Sequence, residues 1–388
     1  MSDNQPIHFS PPLIGEAEIA RVRRVLESGW ITTGPETAEF EKRFGDAVGS
    51  ESALAVNSCT SALSLALRVL GIGEGDEVIT STNTFVSTVN VIEHTGATPR
   101  LVDIDPHTMN LDPERVAATI NPKTKAIIAV HYAGHPADLD ALSKIADDHG
   151  VELIEDAAHA VAAEYNGTPI GGTGNLTAFS FYATKNLSTG EGGMLTGPEE
   201  LLQSARQLAL HGMSRNAWNR YGGQGRWHYE IESAGFKCNM SDLQAAIGIA
   251  QLERLPEMQA RRRQLFNRYS DAFSTDADFE TPHTRSNIEH AHHLYVLRLR
   301  GSLTHARDDL FEGLYQAGVN ASLHFIPIHL HKFYRTKYGY APDDFPVAYD
   351  CFQRMLSLPL SPALSDSEVD RVIEVVRDTA RRVSRRAA

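Results

Sequence analysis

One lysine, Lys185, stands at the end of a short apolar and aromatic run and just ahead of a loop rich in Gly, Ser and Thr ("AFSFYATKNLSTGEGGML"). A lysine in a loop is ordinarily a solvated surface residue. At the desolvated end of a strand its pKa falls instead, and the neutral amine can form a Schiff base with an aldehyde. Earlier in the chain, "VELIEDAAHA" puts Asp156 at the carboxyl end of an apolar strand. There it is either a helix cap or a fixed anion for a protonated ring nitrogen. Glu155 points to the other face by alternation. His159, three positions on, either touches the same ring or is a satisfied interior histidine. "AVNSCTSALSLALRVLGIG" sets Ser58, Thr60 and Ser61 at the entrance of an apolar helix. Such residues commonly cap helices, and the free N–H groups and dipole at that end also bind phosphate. Ser180, polar on the apolar strand "AFSFY", adds a possible donor. Phe85 directly follows the strand "DEVITST" and suits stacking on a flat ring, although a core role is the alternative.

Each signal is ambiguous alone. Together, in the chain order cradle, stacker, acid, lysine, they meet the demands of pyridoxal 5′-phosphate, whose protonated ring is an electron sink. No GxGxxG follows the first strand and no GxxxxGK[ST] occurs, so nicotinamide and nucleoside-triphosphate readings lack their usual loops.

The elements that must position these residues are legible from about Ser52 to Pro198. "DEVITST", "ATPRLVDID", "TKAIIAVHY", "GVELIEDAA" and "LTAFSFY" read as strands. Helical patterns lie between them, such as Asp138–His149, with Leu139, Leu142, Ile145 and Ala146 on one face. Alternating strands and helices predict a mostly parallel sheet covered on both faces, with ligands at the strands' carboxyl ends. From Ser241 a long helical stretch begins, with Ser241 as N-cap and Pro256 as a kink. "HHLYVLRLR" then reads as a strand, "RDDLFEGLYQAG" as a helix, "NASLHFIPIHL" as a strand and "DSEVDRVIEVVRDTARRV" as a closing helix. The pattern predicts a large α/β domain over residues 1–250 and a smaller α+β domain over 251–388.

The chain has 388 residues, 42% of them apolar, with 36 basic and 49 acidic side chains for a net charge of −13. That balance disfavours general binding to nucleic acid or anionic membrane. The first residues, "MSDNQPIHFSPP", carry no apolar signal core, and no uninterrupted apolar run is long enough to span a bilayer. Cys59, Cys238 and Cys351 are odd in number and far apart. They form no disulfide framework or CxxC metal site, which fits a reducing cytoplasm.

The motifs "SGWITTGP", "GIGEGDEVITSTNTFVST", "HYAGHPADLDAL", "IEDAAHA", "FSFYATKNLSTGEGGM", "KCNMSDLQAAIG" and "HFIPIHL", taken in order, resemble the DegT/DnrJ/EryC1/StrS family of sugar aminotransferases over almost the whole chain. The resemblance implies the aspartate-aminotransferase-like fold type I of pyridoxal-phosphate transferases, with a mostly parallel seven-stranded sheet. It implies transfer of an amino group from L-glutamate, giving 2-oxoglutarate, to a nucleotide-linked keto sugar, with the cofactor passing through its pyridoxamine 5′-phosphate form. Within the group, "SGWITTGP", "VHYAGHPADLDAL" and "IEDAAHAVAAEYNG" are most similar to enzymes that aminate the 4-keto sugar of UDP-linked arabinose for lipid A modification. Amination at C3, or an O-antigen or antibiotic-sugar pathway, is the alternative.

By the same resemblance Lys185 is the Schiff-base lysine and proton shuttle, and Asp156 holds the pyridine nitrogen. Phe85 stacks on the ring and His159 contacts the cofactor, while Thr60, Ser61 and Ser180 bind its phosphate. "GFKCNMSD" reaches the neighbouring site of a homodimer, where Lys237 or Asn239 contacts the phosphate. Trp30 to Thr33, including Thr32, lie with His324 and His329 near the sugar nucleotide. Cys59 and Cys238 depart from the family pattern, which has a small residue and an aromatic there.

Three rival readings remain at this level. A desulfurase or aldolase of the same fold needs a mobile cysteine, and Cys59 is poorly placed for that. A non-catalytic regulatory relative does not need both Lys185 and Asp156. A metal enzyme is suggested by "EHAHH" and "HFIPIHLH", but neither has the HExxH spacing, so no metal is expected.

Overall fold

The computed structural model describes residues 5–214 and 230–387. The strands are β1 (Ser52–Val56), β2 (Glu77–Ser81), β3 (Thr98–Val102), β4 (Thr124–Val130), β5 (Glu152–Asp156), the small hairpin β6 (Glu164–Tyr165) and β7 (Thr168–Pro169), β8 (Leu176–Ser180) and β9 (Gly193–Gly197). Seven of them form one sheet in the order β1-β9-β8-β5-β4-β2-β3. Only β9 runs against its neighbours. The five strands expected from β-branched runs are all present.

β8 and β9 are buried at every position, and β4 at all but one. A sheet of that kind needs cover on both faces. Ile127, Ala129 and Phe179 point to one side, where Phe40 and Phe44 of the helix Pro35–Val48 and Ala245 and Ile249 of the helix Asp242–Phe273 pack. Ile128, Ala178 and Leu195 point to the other, against Leu63 and Ala66 of the helix Cys59–Val69. The helix Leu139–His149 is capped by Asp138, whose carboxylate accepts the Ala141 N–H. Such a cap satisfies one of the orphan donors of the first turn.

Ser241 caps the helix Asp242–Phe273 in a reciprocal box with Gln244, and Pro256 lies inside that helix without ending it. The far half of the helix carries Leu265, Phe266, Tyr269 and Phe273 into a second core. That core is built on β10 (Phe279–Glu280), β12 (Tyr295–Leu299), β13 (Met355–Leu358) and the helix Asp366–Ala387. β11 (Ile288–Glu289) pairs instead with β6. Ile7, near the start of the chain, also packs in the second core. "NASLHFIPIHL" is not a strand, contrary to its alternating pattern. Ser322 makes one bridge to Ser357, and Pro327 then leads into the short helical turn Ile328–Leu330. Pro327 has no N–H for a ladder, which ends any pairing there.

One glycine lets the sheet meet the entrance of the helix Cys59–Val69. A Cβ on Gly193 would lie 2.5 Å from the Ser58 carbonyl carbon and 2.6 Å from the Cys59 nitrogen, both backbone atoms that cannot swing aside. Gly193→Ala is therefore expected to cost about 1–3 kcal/mol of stability by overpacking. It should also loosen the Ser58–Ser61 turn. A chemical-denaturation midpoint unchanged from wild type would contradict this packing.

Candidate active site

Three strand ends converge at the carboxyl edge of the sheet. β5 ends on Asp156, which is buried. Its Oδ2 accepts the Thr88 hydroxyl at 2.7 Å, and its Oδ1 accepts the Ala158 N–H at 3.2 Å. The Cys59 thiol lies 3.9 Å from Oδ1. Burial nevertheless pushes the Asp156 carboxyl above its usual range, against the pull of these bonds and of the Lys185 charge. Thr88 is in the first turn of the helix Val86–Thr95, three positions after Phe85. This turn thus carries the Thr88 hydroxyl to the end of β5, directly after Phe85. Thr88 was missed in the sequence, although that helical spacing after Phe85 was a usable signal. Glu155 faces the opposite side, bonded to His131 at 2.8 Å, to Asn175 at 2.8 Å and to the Thr173 hydroxyl.

Beyond β8 the chain turns, with the Lys185 N–H donating to the Tyr182 carbonyl at 2.9 Å. The Lys185 amine is lowered to about 8, first because burial disfavours its charge; Cys59 and Asp156 pull the other way. Relative to an ordinary lysine, this raises the neutral fraction at pH 7 by roughly 300-fold. Lys185 and Asp156 each move the other's ionisation, so they share one water-poor space. Ser180 ends β8, is buried, and accepts the Tyr182 N–H at 3.4 Å.

The third contribution is the entrance of the helix Cys59–Val69. Ser58 caps it, with Oγ accepting the Ser61 N–H at 3.1 Å. The Ser61 hydroxyl donates to Asn57 Oδ1 at 2.7 Å. Thr60 is exposed in the first turn. A helix N-terminus with hydroxyls around it favours an anion.

A ring cluster from the second half of the chain closes the space. Phe325 lies 5.8 Å from Phe85, 5.7 Å from His159 in a stacked arrangement, and 5.2 Å from His324. Phe85 is 56% exposed. The Ala133 N–H donates to His159 Nδ1 at 3.2 Å. Burial and the Lys185 charge hold His159 well below its ordinary pKa, and His324 is lowered to about 4, mainly by burial. His324 Nδ1 lies 3.0 Å from the Ser357 hydroxyl. Phe325 carries no chemistry of its own, and nothing in the sequence singled it out.

His329 is buried more deeply than His324. It is 0% exposed, its Nδ1 lies 2.7 Å from the Thr82 hydroxyl, and its ring lies 4.8 Å from that of Phe345. Its Nε2 is buried and has no hydrogen-bond partner among the described residues. Trp30 and Thr32 are exposed on a loop held to Met240–Asp242. The Gly34 N–H donates to Asp242 Oδ1 at 2.7 Å, and the Thr33 hydroxyl donates to the Met240 carbonyl. On the same loop cluster, Lys237 Nζ donates to Asn239 Oδ1, and Asn239 Nδ2 donates to the Thr33 hydroxyl. The histidine-rich segments assemble no group of three or more metal-type ligands among the described residues.

The residues present suit a phosphorylated, cationic heterocycle. Asp156 forms no ion pair among the described residues while burial works against its charge. A protonated ring nitrogen would relieve that cost, and a phosphate matches the helix entrance.

The sequence profile of the DegT/DnrJ/EryC1/StrS aminotransferase family matches residues 12–377. This chain belongs to that family. It is a sugar aminotransferase, and its cofactor is pyridoxal phosphate. It is 51% identical over 380 residues, 97% of each chain, to the spore coat polysaccharide biosynthesis protein SpsC of Bacillus subtilis. Among solved structures it is similar to the putative sugar aminotransferase Spr1654 of Streptococcus pneumoniae in its PMP form, with a TM-score of 0.92 and 36% identity, covering 97% of this chain and 100% of that one. It is also similar to PseC of Helicobacter pylori, an aminotransferase of pseudoaminic acid biosynthesis, with a TM-score of 0.90 and 27% identity, covering 97% of this chain and 99% of that one.

The depressed Lys185 pKa has a direct consequence. In cofactor-free protein the amine is charged below about pH 8 and neutral above it. Labelling of Lys185 by an amine-selective acylating reagent, read by peptide mass spectrometry, should rise with a midpoint near that pH. A midpoint at the ordinary lysine value would show that burial does not control this amine.

Proposed function

We propose that the protein moves an amino group from L-glutamate to a nucleotide-linked keto sugar, at C4 of a UDP- or dTDP-linked 4-keto sugar. The observation that carries this reading is a buried Lys185 amine of depressed pKa that feels the charge of the buried Asp156 carboxylate, in a family of sugar aminotransferases. The similarity to a protein named for spore coat polysaccharide synthesis supports a product destined for surface polysaccharide. That destination stands in place of lipid A or an antibiotic sugar.

Bound in this space, pyridoxal phosphate supplies an aldehyde for amine exchange and a protonated ring that takes up electron density. Asp156 keeps the ring nitrogen protonated, and the Thr88 hydroxyl and Ala158 N–H hold its carboxylate in place. Thr60, Ser61 and Ser180 receive the phosphate. Phe85 covers one face of the ring. His159, neutral and with its proton on Nε2, donates towards the ring's substituents. Lys185 Nζ would take the proton from the Cα of glutamate and deliver it to the cofactor's former aldehyde carbon, on the far side of the transferring amino nitrogen; with the keto sugar the same nitrogen would run the transfer in reverse. A neutral amine close to physiological pH suits both directions.

His324 and the loop of Trp30 and Thr32 would meet the sugar nucleotide. The protein works as a homodimer in this reading, with Lys237 or Asn239 reaching the partner's phosphate. The exposed apolar side chains of Trp30, Ile31 and Phe236 flank this loop cluster and support its burial in a dimer. The three cysteines are free and buried, and no described helix is long and apolar enough to cross a membrane. Both facts suit a cytoplasmic enzyme.

L-Glutamate alone should bleach the cofactor's long-wavelength absorbance, and the correct keto sugar should restore it. Recovery with a 3-keto sugar and not a 4-keto sugar would move the amination to C3; no bleaching with glutamate would remove the donor assignment. Lys185→Ala should abolish turnover. Asp156→Ala should lower kcat by about 10²–10³-fold through loss of a pre-placed charge. Turnover retained in Lys185→Ala would end the mechanism.

A further inference from the structure

The histidine-rich run Glu289–His293 belongs to no group of three or more metal-type ligands among the described residues, and its last residue leads back to the lysine. His293 is buried, and its Nδ1 lies 3.0 Å from Asn186 Oδ1. Asn186 directly follows Lys185 and is itself buried. Its Nδ2 donates to the Ala291 carbonyl at 2.6 Å and to Gln259 Oε1 at 3.3 Å. Gln259 Nε2 donates to the same Ala291 carbonyl at 2.8 Å. Because Asn186 Nδ2 is engaged in this way, its Oδ1 is the acceptor, and His293 Nδ1 carries the proton.

The ring centroids of His293 and His159 lie 4.3 Å apart, with the planes tilted by 35°. The backbone completes the circuit. The N–H groups of His293 and Leu294 both donate to the Ala133 carbonyl at 3.2 Å, and Ala133 in turn donates to His159 Nδ1. Ala133 and His292 both adopt left-handed backbone, at φ 58° and 48°. Non-glycine residues hold such angles only where their surroundings over-determine them.

We propose that Asn186 and His293 are positioning residues for the amine transfer. Their hydrogen bond fixes the chain that carries Lys185, and the His293 ring fixes the orientation of His159. The two residues that flank the reacting groups are thereby set by one buried connection from the second half of the chain. In a low-dielectric setting such a connection is stiff and intolerant of a missing partner. The proposal rests on Lys185 being the reacting amine.

The test uses the intact holoenzyme. Asn186→Ala and His293→Phe each remove the hydrogen bond, and the second keeps an aromatic ring against His159. Each should lower kcat about 10- to 100-fold by misplacing the amine, with KM for the amino donor changed less than about threefold. Each should also move the pH midpoint of the bound cofactor's absorbance. The double variant should be no worse than the more impaired single one, as for residues that act as a unit. His293→Asn puts an amide nitrogen where the ring Nδ1 stands and should recover most of kcat and the original midpoint. His293→Gln aims its amide from the Nε2 position and should not; it replaces His293→Phe if that variant does not fold.

Wild-type kcat and absorbance midpoint in folded Asn186→Ala and His293→Phe would overturn the proposal. So would equal losses in His293→Asn and His293→Gln, which would mark the role as general packing. Lys185→Ala separates the two readings. If it stays active, the assignment of the reacting amine fails. If it is inactive while the other variants behave as wild type, only the positioning role fails.

Discussion

A carboxylate and an amine, both withdrawn from water and close enough for each to act on the other's charge, set the terms for the rest of this structure. Coulomb attraction between them would lower the Asp156 pKa and raise that of Lys185. The opposite happens to both, because desolvation outweighs attraction at each. The result is useful for Lys185, whose neutral form is the reactive one. It is a burden for Asp156, whose charge is needed, and this explains the Thr88 hydroxyl and Ala158 N–H on its two oxygens. It also explains why a cationic ring belongs there.

Keeping that pair dry requires tight approach of backbone from several directions. β9 carries Gly193 where any side chain would strike the turn into the helix Cys59–Val69. The Cys59 side chain then fills the gap between that turn and β5, with its thiol 3.5 Å from the Ala178 carbonyl. Burial and the neighbouring Asp156 push the thiol well above its ordinary pKa. A thiol held protonated makes a poor nucleophile. The cysteine that departs from the small residue common in the family is accordingly a spacer, and the desulfurase reading loses its best candidate.

How much could be read from sequence follows from the range of the interactions. Lys185, Asp156, Phe85 and the Ser58–Ser61 turn each announce themselves locally, by an apolar strand that stops and a helix or loop that starts. Those cues survive into the structure because they depend on a few neighbouring residues. Thr88 acts on a carboxylate 68 positions away, and His293 on an amide 107 positions away. The spacing of Thr88 after Phe85 marks its face of the helix, but nothing local names the distant partner in either case. The failure at "NASLHFIPIHL" has the same origin. The stretch reads as a strand, but Pro327 ends pairing there, and the bond between His329 and Thr82 comes from a residue 247 positions away.

The histidines around the amine show what that packing achieves. His159 and His293 are held well below their ordinary range and His324 at about 4, with burial the largest cause in each and the Lys185 charge adding to it. Protonating any of them would place a second cation beside Lys185. Three neutral rings supply hydrogen-bond donors and flat surfaces without that charge. Through the neutral pH range Lys185 is then the group of this cluster that changes state. A site with this division between rings that orient and one nitrogen that titrates can accept a proton from one substrate and return it to another with little rearrangement around it.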